Sequence, residues 1–264
     1  LFALSMLALV ALLQARETGV ERDALTCDLQ WTEQALRRTM LGTEEFLAQL
    51  GRDLAAGTLD HDDFQLRANE HLALNAALGN IAWVGRDQVV RWSAPFDAQA
   101  WLAGEHLHEA HVQGFQQSAL SFRPAYGRPH PHAEQGATLE VFVPVQRGGE
   151  LLGVIVAAYV VERMITRLVP GASEKYRLAV VDAEGEVLAL SSALPAEDEH
   201  LALTLPLEPP GNGMALQAMA FRPGGSAARM MPSIIIVGLS ALVLWSLWML
   251  RRHVLRRVQV EKER

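Results

Sequence analysis

The chain has a single cysteine, Cys27, among its 264 residues. No internal disulfide is possible, so the core has to hold by apolar burial, which a chain of this length supplies. Aromatic residues are sparse at 6%, the net charge is −7, and no basic stripe with interleaved aromatics occurs. That balance argues against nucleic acid as a partner. Catalytic motifs are missing as well. There is no G-x-S-x-G elbow, no P-loop, no G-x-G-x-x-G and no H-E-x-x-H. The chain therefore reads as non-enzymatic and without a cofactor.

Charge is absent from one long stretch. Pro232 to Leu250 (PSIIIVGLSALVLWSLWML) carries none, and its length matches the roughly 20 apolar residues that cross a bilayer core as a helix. Trp245 and Trp248 sit toward one end, as interfacial anchors do, and Arg251, Arg252, Arg256 and Arg257 follow at once. The positive-inside rule places that end in the cytoplasm. Leu1 to Leu13 is apolar and uncharged, and reads as the outer portion of a first span. Everything between the spans is then expected outside the cytoplasm. The segment from Arg251 onward has a balance of +4, leaving −11 for the rest, an acidic outer region.

What is present in that region is a change of period. Leu25, Leu29, Leu36, Met40, Leu47, Leu50 and Leu54 recur in steps of three, four and seven, predicting a long amphipathic helix from Val20 to Leu54. The seven-residue steps also suit a seam between two helices, so a parallel homodimer through this helix is expected, with Cys27 of the two copies close together. The alternative is that the leucines cover the chain's own sheet. Gly57 ends the helix. Asp62 or Asp63 is placed to cap a second one, Phe64 to Leu78.

Strand signals follow. Asn80–Val84 and Gln88–Ser93 flank a charged turn; a helical segment covers Ala98 to Leu120; and a Pro- and His-rich loop runs from Arg123 to Gln135. Thr138–Gln146 and Leu151–Val160 form a second hairpin, apolar almost throughout, as strands are when both sheet faces are covered. A short helix, Glu162 to Leu168, closes this unit. Strands then recur at Tyr176–Val181, Glu186–Ser191, Leu201–Leu207 and Met214–Phe221. WVGRDQVVRWSA from Trp83 and VVDAEGEVLALSS from Val180 share one design, an apolar strand, a charged turn and a second strand ending in Ser.

This order of elements resembles the extracellular PAS-like domains called Cache, over roughly Val20 to Phe221. GNIAWVGRDQVVRWSAP is similar to the first hairpin of such a sensor, LEVFVPVQRGGELLGVIVAAYVVERMI to its closing hairpin and helix, and VVDAEGEVLALSS to the membrane-proximal domain of double-Cache receptors. Among these the arrangement is similar to sensor histidine kinases of the four-carbon dicarboxylate type. No phosphorylatable-histidine or nucleotide-binding motif of such kinases occurs in this chain. The resemblance thus implies a role for a parent protein, and chemoreceptors and cyclic-dinucleotide enzymes use the same sensor.

It implies an α+β fold with a partial first span at 1–16, helices over 17–78, and a membrane-distal PAS-like domain over 79–170. A smaller membrane-proximal domain over 171–224, a second span over 231–250 and the start of a cytoplasmic signalling helix over 251–264 complete it. The implied location is the bacterial inner membrane, with the main domain periplasmic. The implied partners are the lipid bilayer, a second copy and a small-molecule ligand, an organic acid or an aromatic. Two other readings stand beside it, a dimerisation module without ligand and a metal-sensing domain.

In a PAS-like fold the pocket lies between the sheet and the loops over one face. Polar residues on apolar strands and in the covering loop are then the candidate ligand-binding set: Arg91, Trp92, Arg123, Tyr126, His130, Glu140 and Tyr159. Arg grips a carboxylate bidentately, and Trp walls an apolar body. Arg91 and Glu140 could instead pair with each other. His106, His108, His111, His130 and His132 fall within 27 positions, with Glu109 among them, but their spacing matches no standard metal motif.

Overall fold

The computed structural model of the chain describes residues 2–95, 101–132, 136–168, 176–191, 202–220, 237–238 and 240–252. The chain divides into two units, residues 24–221 and residues 1–23 with 222–264.

Helix α1 spans Phe2–Ala56. Its buried stripe is the one the spacing foretold: Leu25, Leu29, Leu36, Met40, Leu47 and Leu50 are at most 1% exposed. These side chains belong to one core cluster with residues of both sheets. The expected dimer seam of leucines is therefore filled by the chain's own core. The opposite face carries Trp31 at 73% exposure and Leu41 at 46%.

Gly57, with φ +75°, stops α1. Helix α2 (His61–Leu74) begins a turn earlier than the sequence suggested, because Asp60 caps it by accepting from the Asp63 amide at 2.9 Å. It ends at Asn75, since Leu78 already belongs to strand β1.

The larger sheet is antiparallel, with strands β1 (Leu78–Gly85), β2 (Val90–Ala94), β3 (Ala125–Tyr126), β4 (His130–His132), β5 (Gly136–Arg147) and β6 (Glu150–Val160). Its order is β2-β1-β6-β5-β3, with β4 also on β5. Gly148 and Gly149, both at positive φ, make the two-residue β5–β6 turn, the conformation that matches strand twist. Odd-numbered residues of β5, Leu139 to Val145, join the core shared with α1 and α2. The other face (Ala82, Val84, Phe142, Val154, Val156) packs with Trp101, Leu107 and Phe115. Covering both faces explains why β5 and β6 are apolar without alternation.

Helix α3 spans Glu109–Ser121, covering only the later part of the stretch expected from Ala98 to Leu120. His108 ends that stretch by capping, its Nδ1 accepting from the Ala110 amide at 3.3 Å, while residues 96–100 lie outside the described ones. The His- and Pro-rich loop contributes β3 and β4, pairing with β5 instead of staying irregular.

Helix α4 (Val161–Leu168) leads to a second antiparallel sheet of β7 (Tyr176–Val181), β8 (Val187–Leu190), β9 (Ala202–Pro206) and β10 (Ala215–Ala220), in the order β8-β7-β10-β9. Leu178, Val180, Leu207, Leu216 and Ala218 face the same core as the α1 leucines. The two hairpins with matching sequence also match in geometry. Val84 pairs with Val90 and Val181 with Val187, each just after a register shift. Positive φ falls at Gln88 in one turn and at Gly185 in the other, the same offset of 97 positions.

In the smaller unit, residues 240–252 are helical, with Arg252 Cζ 5.3 Å from the Trp248 ring. Among the described residues no helix is long and apolar enough to cross a membrane. The spans expected at 1–16 and 231–250 bear partly on residues outside that set, namely 1, 231–236 and 239, as does the expected signalling helix beyond Arg252.

Candidate functional site

Strand parity places the polar residues. On β5, Leu139 and Val141 face α1, so Glu140 between them faces α3; it is 2% exposed on an otherwise apolar strand. His130 opens β4 and pairs with Thr138, so it lies diagonal to Glu140 across the two strands. His111, 6% exposed, projects from the first turn of α3. The three meet. Glu140 Oε2 lies 3.5 Å from His130 Nδ1 and 3.8 Å from His111 Nδ1. The rings of His111 and His130 stand 4.8 Å apart edge to face, and Trp101 covers His111 at 4.5 Å. One ligand atom from each of these three residues lies within 4.8 Å of the others.

Close packing holds α3 on this face. Gly114 has room for no side chain, since a Cβ there would fall 2.3 Å from Phe142, and Ser118 Oγ donates to the Phe142 carbonyl at 3.1 Å. Gly127 lies against Glu140 in the same way, with 3.2 Å between a would-be Cβ and Oε2.

Outside these two glycines opens a cleft of about 390 Å³, bordered by Gln113, Gln117, Tyr126, Arg128 and, from the β9–β10 loop, Asn212. Asn212 Nδ2 donates to the Gly127 carbonyl at 2.9 Å. Arg128 is exposed, and among the described residues its side chain forms no ion pair.

Of the seven residues singled out from sequence, Glu140 and His130 are brought together and the rest are dispersed. Arg91 is exposed and paired with Asp87 at 2.5 Å within its own turn, not with Glu140. Trp92 points to the opposite face, onto Phe64 (5.5 Å) and His61 (5.9 Å). Arg123 is exposed beyond the α3 cap, Phe122. Tyr126 borders the cleft, but its hydroxyl donates to Glu44 Oε1 of α1 at 2.5 Å. Burial first, then that bond, hold its phenol protonated well above the usual range. Tyr159, fully buried on the α1 side, is raised mainly by burial as well.

Arg128 and Asn212 were not among the residues singled out, and His111 was named with the other histidines but not with Glu140. Arg128 stood in the covering loop two positions from His130, which the sequence did single out. Asn212 gave no such sign.

No family model matches the chain, and no curated protein does. Solved structures do. The ligand-binding domain of the Pseudomonas aeruginosa amino acid chemoreceptor PctC, in complex with GABA, is 14% identical with a TM-score of 0.55, covering 76% of this chain and 100% of that one. The ligand-binding domain of the Pseudomonas fluorescens chemoreceptor CtaA, in complex with L-serine, is 11% identical with a TM-score of 0.55, over 77% and 98%. The sensor domain of the Vibrio cholerae histidine kinase DctB is 9% identical with a TM-score of 0.54, over 79% and 100%. At such identities the likeness is one of fold. The chain shares the fold of these ligand-binding and sensor domains.

Proposed function

We propose that the chain is the extracytoplasmic sensing region of a bacterial membrane receptor, and that it binds a small organic acid in the cleft bordered by Arg128. The cleft carries this reading: a guanidinium without an ion-pair partner among the described residues stands beside the amides of Gln113, Gln117 and Asn212. A guanidinium fork and amide donors are the groups that bind a carboxylate. The solved structures of similar fold support it, two of them holding the amino acids GABA and L-serine, themselves carboxylates.

The uncharged run 232–250 and the basic residues after it support membrane anchoring with the Arg251 end cytoplasmic. A kinase output is one reading of the parent protein, supported by the likeness to the DctB sensor domain, and a chemoreceptor output is another, supported as well by the likeness to the PctC and CtaA domains. Pairing of two copies would use the exposed face of α1, because its leucines are spent inside the chain.

The test is a thermal-shift and calorimetric screen of the purified chain against C3 to C6 mono- and dicarboxylates and amino acids. Arg128→Gln is expected to lower the affinity of the best binder ten- to a hundredfold, about 1.5–3 kcal/mol for a charge-assisted contact. Arg91→Ala is expected to leave it unchanged. Equal affinity in wild type and Arg128→Gln removes the cleft from the reading.

A further inference from the structure

The buried cluster on the α3 face is separate from the cleft and has a chemistry of its own. We infer that His111, His130 and Glu140 form a binding site for one divalent metal ion of the zinc class.

Four observations carry the inference. The three side chains come from three elements, α3, β4 and β5, and converge so that one ligand atom from each lies within 4.8 Å of the others. Their separations are too long for direct pairing. Charge-assisted N–H···O bonds run at about 2.7–2.9 Å, whereas Glu140 Oε2 stands 3.5 Å from His130 Nδ1 and 3.8 Å from His111 Nδ1. Two ligands each about 2.0–2.2 Å from a tetrahedral zinc are separated by roughly 3.3 Å, so small inward movements convert the cluster into a coordination set. His111 Nδ1, on a residue only 6% exposed, has no hydrogen-bond partner. Burying such an atom unpaired is costly, and a metal ion is a partner it would accept. Finally, His130 has a supporting contact, with Thr138 Oγ1 3.3 Å from Nε2. A polar neighbour on the far nitrogen is the usual device for orienting a ligating imidazole.

Two imidazoles and one carboxylate suit zinc and the borderline divalent ions and leave a fourth position for water. His108 is outside the set. Its ring lies 6.0 Å from that of His111, and its Nδ1 is engaged by the Ala110 amide. His130 Nδ1 also lies 3.4 Å from the Arg128 carbonyl, a contact that a metal-bound Nδ1, which carries no proton, gives up. The ion would tie α3 to the β4–β5 edge.

The measurement uses the full chain in detergent, prepared without a histidine tag and stripped with chelator. Zinc is titrated calorimetrically, and cobalt(II) is used as a probe whose visible absorption reports tetrahedral coordination. Expected are one equivalent bound, a tetrahedral cobalt spectrum, and at least a tenfold loss of affinity in Glu140→Gln and in His130→Asn, with His108→Asn unchanged. Should Glu140→Gln fail to fold, the half-buried His130→Asn and the wild-type cobalt spectrum decide. Absence of saturable one-equivalent binding in the wild type overturns the site. So does binding that both variants leave intact, which would place the metal on surface histidines. Arg128→Gln keeps the metal affinity, so failure here and failure of the organic-acid reading are distinguishable.

Discussion

Asn212 Nδ2 donates to the carbonyl of Gly127 at 2.9 Å, joining the β9–β10 loop to the loop that screens Glu140. The two residues are 85 positions apart, and both border the cleft. Asn212→Ala would leave the carbonyl of buried Gly127 without this donor, at about 0.5–1.5 kcal/mol. Urea denaturation is expected to show that loss, and calorimetry a weaker organic-acid affinity. A stability loss with ligand affinity untouched would make the bond purely structural.

Gly114 sets how closely α3 approaches the sheet. Its missing Cβ would fall 2.3 Å from Phe142 Cε2, so Gly114→Ala is expected to destabilise the chain by about 1–3 kcal/mol, as overpacking does. Combining it with Phe142→Leu relieves the clash, and the double variant should be more stable than the sum of the singles implies. Strict additivity would mean that the helix has simply moved away.

His71 stacks on Phe46 with ring centroids 3.8 Å apart and planes within 2°. Burial lowers its pKa below the usual 6.5. The folded state then holds the proton less tightly than the unfolded one. From about pH 6.5 downward to the folded value the unfolded chain binds more protons, so stability falls as pH falls and is recovered as pH rises. Unfolding midpoints measured from pH 5 to 7.5 should rise with pH in the wild type and rise less in His71→Gln. Parallel curves for the two proteins would remove His71 as the cause.

Cys27 is exposed on α1. It shares the solvent face with Ala24, Trp31 and Leu41, spaced for a helical seam. If two copies pair in parallel along this face, mild oxidation of the chain in membranes should give a disulfide-linked dimer, and Trp31→Glu should diminish it. Single cysteines moved across positions 24 to 31 that all fail to cross-link would show that this face does not pair.

How much of this was legible in the sequence differs from element to element. The hairpins were, because a turn and two flanking strands are specified by neighbours. The likeness between the segments at Trp83 and Val180 even extends to the pairing register and the positive-φ position. The α1 stripe was equally plain, yet periodicity says only that one face is buried. Apolar burial has no direction, so the leucines suited a second helix as well as a sheet, and the fold chose the chain's own sheets.

The site shows the same division. Sequence marked Glu140 as an anomalous charge on an apolar strand, and the histidines as a cluster. Arg91 and Trp92 lie apart from that cluster, because adjacent residues of a strand point to opposite faces and the register shift after Trp83 decides which face each takes. A shift of one position exchanges faces for every side chain. Composition, period and turn chemistry therefore determined most of the elements and their order, but not β3 and β4, which form only by pairing with β5. Only the long-range packing of α3, β4 and β5 put His111 beside Glu140, 29 positions away, since strand pairing and helix docking are settled by contacts that no local stretch of sequence contains.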